Sequence, residues 1–219
     1  MKAPQEVVVI GAGVVGMATA LTLADRGHRV TVVDRAEGAG LGTSFANGAQ
    51  LSYSYTDALA SPATLAQMPR LLLALDPAFR FRPRLDPDFL RWGLAFLRSS
   101  TAASFRRNTL AGLDLALRSR DALHRLVRRH AIDFAHQVAG KIQIYRSAAS
   151  FAAARETAAV KQAHGVTQRL LRPEEAVAVE PMLAAIADRI AGAVHTPDEE
   201  VGDPHRFCTG AGSALAAAG

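Results

Sequence analysis

Sulfur and lysine are both scarce in this chain. Its 219 residues include a single cysteine, Cys208, which excludes an intramolecular disulfide framework and any cysteine-based zinc cluster. A lone thiol fits a reducing compartment. Lysine occurs only at Lys2, Lys141 and Lys161, so the net charge of +5 is carried by arginine. The arginines are scattered from Arg26 to Arg206, and the densest run, Arg118 to Arg129, is accompanied by Asp114 and Asp121. We read that run as the solvated face of a helix, and no nucleic-acid partner is expected. Repeats and low-complexity linkers are absent. The seven histidines show no metal-ligand spacing. His124 and His130 do not share one helix face, and no metal site is expected. The sequence shows no Ser-His-Asp arrangement either.

What is present is the balance of a globular protein, 49% hydrophobic and 21% charged. The longest uncharged apolar stretch, Val7 to Ala24, could pass for a signal peptide or a short membrane span. Three features argue against that reading. Glu6 spoils a positive flank, three glycines interrupt the stretch, and a strand-like segment follows directly. No transmembrane segment is expected.

Val7–Ile10 is a β-branched run ending in glycine and reads as a buried strand. Gly13–Arg26 reads as a helix closed by Gly27. Val30–Val33 is a second buried strand. Strand, tight turn, helix and strand make a parallel βαβ unit. A loop rich in small residues follows, Ala36–Ser54. Asp76–Pro87 is broken by prolines. Helices are expected at Asp88–Arg98 and Phe105–His130, the second with Leu110, Leu113, Leu117, Leu123 and Leu126 along one side. The pattern then changes to strands at Lys141–Arg146, Gln168–Leu171 and Ile190–His195. Helices are expected at Ser150–His164 and from Pro173 to about Glu180, with a last one beginning at Asp203.

The segment Gly11-Ala12-Gly13-Val14-Val15-Gly16 is a G-x-G-x-x-G set between a strand and a helix, the context that gives this pattern meaning. Gly11 permits the tight turn. Gly13 lets backbone approach a pyrophosphate, and Gly16 lets the helix pack close to the strand. The helix N-terminus then faces the phosphates with free N–H groups and a positive dipole end. Asp34, at the end of the second strand, can accept hydrogen bonds from a ribose, although Arg35 beside it dilutes its repulsion of a 2′-phosphate. These residues leave FAD and NAD both open.

Read against known families, Val7–Ser52 resembles the N-terminus of the FAD-dependent D-amino acid dehydrogenases, within the D-amino acid oxidase-like flavoproteins. The matching residues are VVVIGAGVVGMATALTLADRGHRVTVVDR and then GTSFANGAQLS at Gly42–Ser52. Similar segments recur at Gly140–Ser147, Glu174–Leu183 and His195–Cys208. The resemblance implies non-covalent FAD and oxidative deamination of an amino-acid substrate. Electrons would pass to a quinone or other membrane-linked acceptor rather than to oxygen. It implies a cytoplasmic chain, or one peripheral on the inner membrane. Glycine or sarcosine oxidase-like chemistry and a non-catalytic fragment of the family are the alternatives.

The implied cofactor contacts are Gly11, Gly13, Val14, Val15, Gly16, Asp34, Arg35, Thr43, Ser44, Asn47, Gln50 and Ser52. Thr43, Ser44 and Asn47 would follow the pyrophosphate and ribityl chain, with Gln50 and Ser52 nearer the flavin. Where the family often has Asn-Ala-Gly, this chain has Asn47-Gly48-Ala49. No catalytic residue is assigned. His195 and His205 read as loop residues, Asp198, Glu199, Glu200 and Asp203 as a solvated acidic turn, and Cys208 as structural.

The fold expected is α/β, a Rossmann-type βαβ unit with an inserted α+β substrate domain. Residues 1–60 would begin the FAD domain, 61–195 the substrate side, and 196–219 a return toward the FAD domain. Family members are roughly twice this long, so a truncated or incomplete member is expected.

Overall fold

The computed structural model describes residues 3–72, 84 and 86–218. Most of the proline-broken stretch expected at Asp76–Pro87 lies outside them.

Strand β1 (Glu6–Ile10), helix α1 (Val14–Ala24) and strand β2 (Arg29–Val33) form the expected βαβ unit. The strands pair in parallel, Val8 opposite Thr31 and Ile10 opposite Val33. Their inner residues, Val7, Val9, Val30 and Val32, are half-buried. On the other face Val8 is 64% and Ile10 88% exposed, so among the described residues one side of this parallel sheet is bare. Parallel sheets are ordinarily covered on both faces. Helix α1 ends as its sequence suggests. Gly27 adopts φ +84, and its amide donates to Ala24 O while that of His28 donates to Leu23 O.

The described residues divide into two compact units, 1–52 with 119–219, and 53–118. In the first unit, α1 packs against helix α7 (Pro204–Ala218). Met17 and Leu21 of α1 join Ile132, Phe134, Phe207, Cys208 and Ala211 in one buried cluster. Apolar side chains at helical spacing on two helices explain this packing. Asp203 starts α7 by accepting the amides of His205 and Arg206 at 2.9 and 3.0 Å.

The same unit holds an antiparallel three-stranded sheet in the order β4 (Lys141–Tyr145), β6 (Gly192–Thr196), β5 (Arg169–Leu171). Helices α5 (Ala148–Gln162) and α6 (Pro173–Val179) belong to it, with a 3-10 segment over Pro181–Arg189. Two very short strands, β3 (Gln50–Leu51) and β7 (Glu200–Val201), also pair here. Both lie in segments expected to be loops, and each exists only through its partner.

The second unit comprises α2 (Pro62–Leu72), α3 (Pro87–Ser99) and the first part of α4 (Ala102–His130), whose later turns belong to the first unit. Helix α2 was not expected, because Pro69 sits inside it. Asp86 caps α3 by accepting the Phe89 amide at 2.7 Å, and Pro87 occupies the first helical position. The aromatic side of α3 stays open, with Trp92 51% exposed. Leu113 of α4 is fully buried, beside Thr109, whose hydroxyl accepts the Ala58 amide.

The arginine-rich part of α4 bears out its reading as a solvated face. Arg118 pairs with Asp114 at 2.9 Å and Arg120 with Asp121 at 3.4 Å, while Arg125 and Arg128 are exposed. His130 meets Asp25 at 3.0 Å and His124 turns elsewhere, so the two do not share a face.

Candidate functional site

The glycine-rich turn joins β1 to α1. Gly11 adopts φ +107, which a β-carbon disfavours, and its amide donates to Val33 O at 2.7 Å. A Cβ on Gly16 would lie 1.8 Å from Gly11 O, so the helix rests directly on the turn. A Cβ on Gly13 would meet only Ser44 Oγ, at 3.3 Å. The turn is therefore bare on one side and packed on the other.

Gly13 is the N-cap of α1 and supplies no side-chain cap. The first amides of a helix have no acceptor one turn back. Met17 is the first to find one, donating to Gly13 O at 2.9 Å. Val14 N–H donates to Ser44 Oγ at 3.2 Å. Val15 and Gly16 thus carry the remaining first-turn amides at the positive end of the dipole, beside a residue with no Cβ. That is the donor set a phosphate group requires.

Asp34 completes the arrangement. Its carboxylate accepts the Ala12 amide at 2.7 Å and the Ala36 amide at 2.8 Å. These bonds, the Ala12 one foremost, hold Asp34 below the usual carboxylate value. A depressed folded-state pKa gives stability that is complete above the unfolded-state value and lost as pH falls through the folded one. Asp34→Asn should therefore flatten part of the acid limb of thermal stability and lower the midpoint near neutrality. Melting curves recorded from neutral pH into the carboxylate range test this, and identical limbs for both proteins would refute it.

The loop after β2 closes on the turn. Gly40, at φ +75, donates its amide to Ala12 O at 2.8 Å. A Cβ on Gly40 would come 2.9 Å from Cys208 Cβ. Burial raises the Cys208 thiol pKa, and a Ser44 hydrogen bond offsets part of that. The thiol is buried and protonated, which accords with a structural residue. Gly40 was not among the expected site residues; only the small-residue composition of its loop hints at it.

The structure brings Gly11, Gly13, Val14, Val15, Gly16, Asp34 and Ser44 together through these contacts. Arg35 and Thr43 are their exposed chain neighbours. The remaining expected residues gather further along. A cavity of about 340 Å³ is lined by Val14, Ala18, Asn47, Gln50, Leu123 and Phe134, among others. Asn47 Oδ1 accepts the Ala49 amide at 2.8 Å, and Ala49 takes φ +53. Ala49 stands where the family often has glycine, and the chain keeps a left-handed residue there at a cost of about 1 kcal/mol. Ser52 Oγ accepts from Lys141 Nζ at 3.0 Å.

Two expectations fail. Glu199 and Glu200 are not part of a solvated turn; they are 3% and 5% exposed, because β7 runs through the interior of the unit. Asp198 remains exposed, and Asp203 caps α7. The loop reading of His195 and His205 fails, because they lie in the strand expected at Ile190–His195 and the helix expected from Asp203. His195 lies in β6 opposite Ile142 and Arg169, and His205 lies in α7. Desolvation, then the Arg169 charge, lowers the His195 pKa, so it is a neutral imidazole near neutral pH.

His124, His136 and Glu200, none of them expected as a group, also come together. They come from α4, the loop after it and β7, so no spacing pattern could announce them.

Comparison with known proteins bears on the turn. Over 206 residues the chain is 43% identical to D-amino acid dehydrogenase 2 of Ralstonia nicotianae, covering 94% of this chain and 48% of that protein. It is 44% identical over 214 residues to D-amino acid dehydrogenase of Paramagnetospirillum magneticum, covering 97% and 50%. The chain thus spans about half the length of these curated relatives. Glycine oxidase from Geobacillus kaustophilus superposes with a TM-score of 0.61 at 20% identity, over 99% of this chain and 46% of that one, a likeness of fold. The family model described as FAD dependent oxidoreductase, DAO, matches residues 6–219. A glycine-rich turn with open first-turn amides, a carboxylate at the end of the second strand and a family match over nearly every residue agree, and the chain belongs to the DAO family of FAD-dependent oxidoreductases.

Proposed function

We propose that this chain is the cofactor-binding part of a flavoenzyme that oxidatively deaminates D-amino acids to 2-oxo acids and ammonia, passing electrons to a quinone or other non-oxygen acceptor. The observation that carries the reading is the packed and open turn, with Gly16 against Gly11 O and the Val15 and Gly16 amides beside a bare Gly13. The substrate class follows the relatives' names at 43% and 44% identity.

Bound FAD would supply the acceptor for a hydride from the substrate Cα and the outlet for its electrons. The chain's own residues bind and orient. The Val15 and Gly16 amides hold the pyrophosphate, with Gly11, Gly13 and Val14 shaping the turn. Asp34 accepts from the adenosine ribose and Arg35 flanks it. Thr43, Ser44 and Asn47 follow the chain of the dinucleotide, and Gln50 and Ser52 lie toward its reacting end. The imino acid product then hydrolyses in water.

Residues 1–60 and 196–219 would form the cofactor side and 61–195 the substrate side. Pairing of Leu51 with Glu200 supports the return of the last segment to the first. The proposed setting is the cytoplasm or the periphery of the inner membrane. Among the described residues no helix is long and apolar enough to cross a membrane.

Absorbance of the purified chain tests the reading. About one flavin per chain, bleached by D-alanine under anaerobic conditions, is the expected result. A colourless protein refutes the cofactor site. Flavin that D-alanine does not bleach keeps the site and refutes turnover by this chain alone. Oxygen consumption with sarcosine would replace the dehydrogenase reading by an oxidase one.

A further inference from the structure

Away from the glycine turn, three ligand-type side chains converge in the first unit. His124 Nε2 lies 2.9 Å from Glu200 Oε1, and His136 Nε2 lies 2.9 Å from Glu200 Oε2. The three ligand atoms all fall within 4.8 Å of one another. The Glu200 side chain is 4% exposed, whereas His124 and His136 are 28% and 31% exposed. A buried carboxylate is therefore reached from solvent past two imidazoles.

The backbone fixes this convergence. Gln137 and Val201 exchange both hydrogen bonds, at 3.0 and 2.9 Å, in an antiparallel bridge that makes His136 and Glu200 diagonal neighbours on one face. Glu200 also pairs with Leu51 across β3 and β7. His124 projects from α4, a helix that continues to His130. The His136 ring stacks on buried Phe134 with centroids 5.3 Å apart. Three donors thus come from three separately anchored positions.

We propose that His124, His136 and Glu200 form a binding site for a borderline divalent transition ion of the zinc class. Two imidazoles and one carboxylate are the donors such ions take, and hard oxygen-seeking calcium or magnesium would not choose them. Metal–ligand bonds of about 2.0–2.2 Å put neighbouring ligand atoms roughly 3–3.5 Å apart, close to the 2.9 Å separations here. Three protein donors leave further positions for water or a small ligand. The site shares no residue with the flavin contacts proposed above and is independent of them.

Calorimetric titration of zinc chloride into the untagged, chelator-dialysed chain tests the site, with flavin content recorded separately. One zinc per chain is expected. His124→Ala and His136→Ala should each weaken it at least about 10-fold, the lower edge of what even outer-sphere partners cost. His164→Ala, an exposed histidine elsewhere, should leave it unchanged. Circular dichroism confirms that each variant is folded, and both histidines are open enough for truncation to spare the core. Absence of stoichiometric binding, or binding that survives both substitutions, overturns the site whether or not the chain carries flavin.

Discussion

Gly16→Ala should give a chain that is both less stable and free of flavin. The added Cβ would sit 1.8 Å from Gly11 O and 2.9 Å from Gly11 C. Both are backbone atoms at the end of β1, so no rotamer relieves the overlap. Helix α1 must lift from the turn or the turn must open, and either movement displaces the amides proposed to hold the phosphates. Overpacking of this kind costs about 3 kcal/mol or more, a fall of roughly 6–12 °C in Tm for a chain this size. Gly13→Ala separates the two effects. Its Cβ would meet one side-chain oxygen at 3.3 Å, which can yield by a few tenths of an ångström. That variant should melt within about 1 kcal/mol of the parent and still lose flavin, because the methyl group occupies the phosphate approach. Melting curves and flavin stoichiometry on both variants decide the matter. A Gly16→Ala protein that keeps flavin would refute the close-packing argument.

Leu21→Ala should cost about 2–5 kcal/mol. Leu21 is 1% exposed on α1, within the cluster that includes Met17, Phe207 and Ala211. The helix backbone holds its neighbours at fixed spacing, so the void cannot close. Among the described residues α1 covers one face of the parallel sheet, so its packing carries that part of the first unit. Leu115→Ala is the control. Leu115 is 69% exposed, and its loss should stay within about 0.5 kcal/mol. Urea denaturation of the three proteins measures both. A Leu21→Ala loss under about 1 kcal/mol would show that the α1 and α7 contact is not the core of this unit.

Elements whose signals are local were legible. β1, α1 and β2 follow from β-branched runs, three spaced glycines and the stop at Gly27. Helix α6 starts at Pro173 as expected, while α3 and α5 start at Pro87 and Ala148, one and two residues before the expected Asp88 and Ser150, because Asp86 and Ser147 cap them. Helix α2 was hidden by Pro69. β3 and β7 were hidden because two-residue strands have no periodicity and form only where distant backbone meets.

The candidate site divides the same way. The sequence alone determined the glycine turn, the acid at Asp34 and the helix that starts at the turn, because these depend on φ angles, missing β-carbons and neighbours a few residues apart. Tertiary structure decided what depends on distant partners. It put Ser44 against the Val14 amide and Gly40 against Ala12, and it closed a cavity around Val14, Asn47 and Gln50. It also took Glu200, acidic and read as solvated, into the interior between His124 and His136. The physical reason is that burial and convergence arise from packing between segments, and a carboxylate's environment is set by what folds over it.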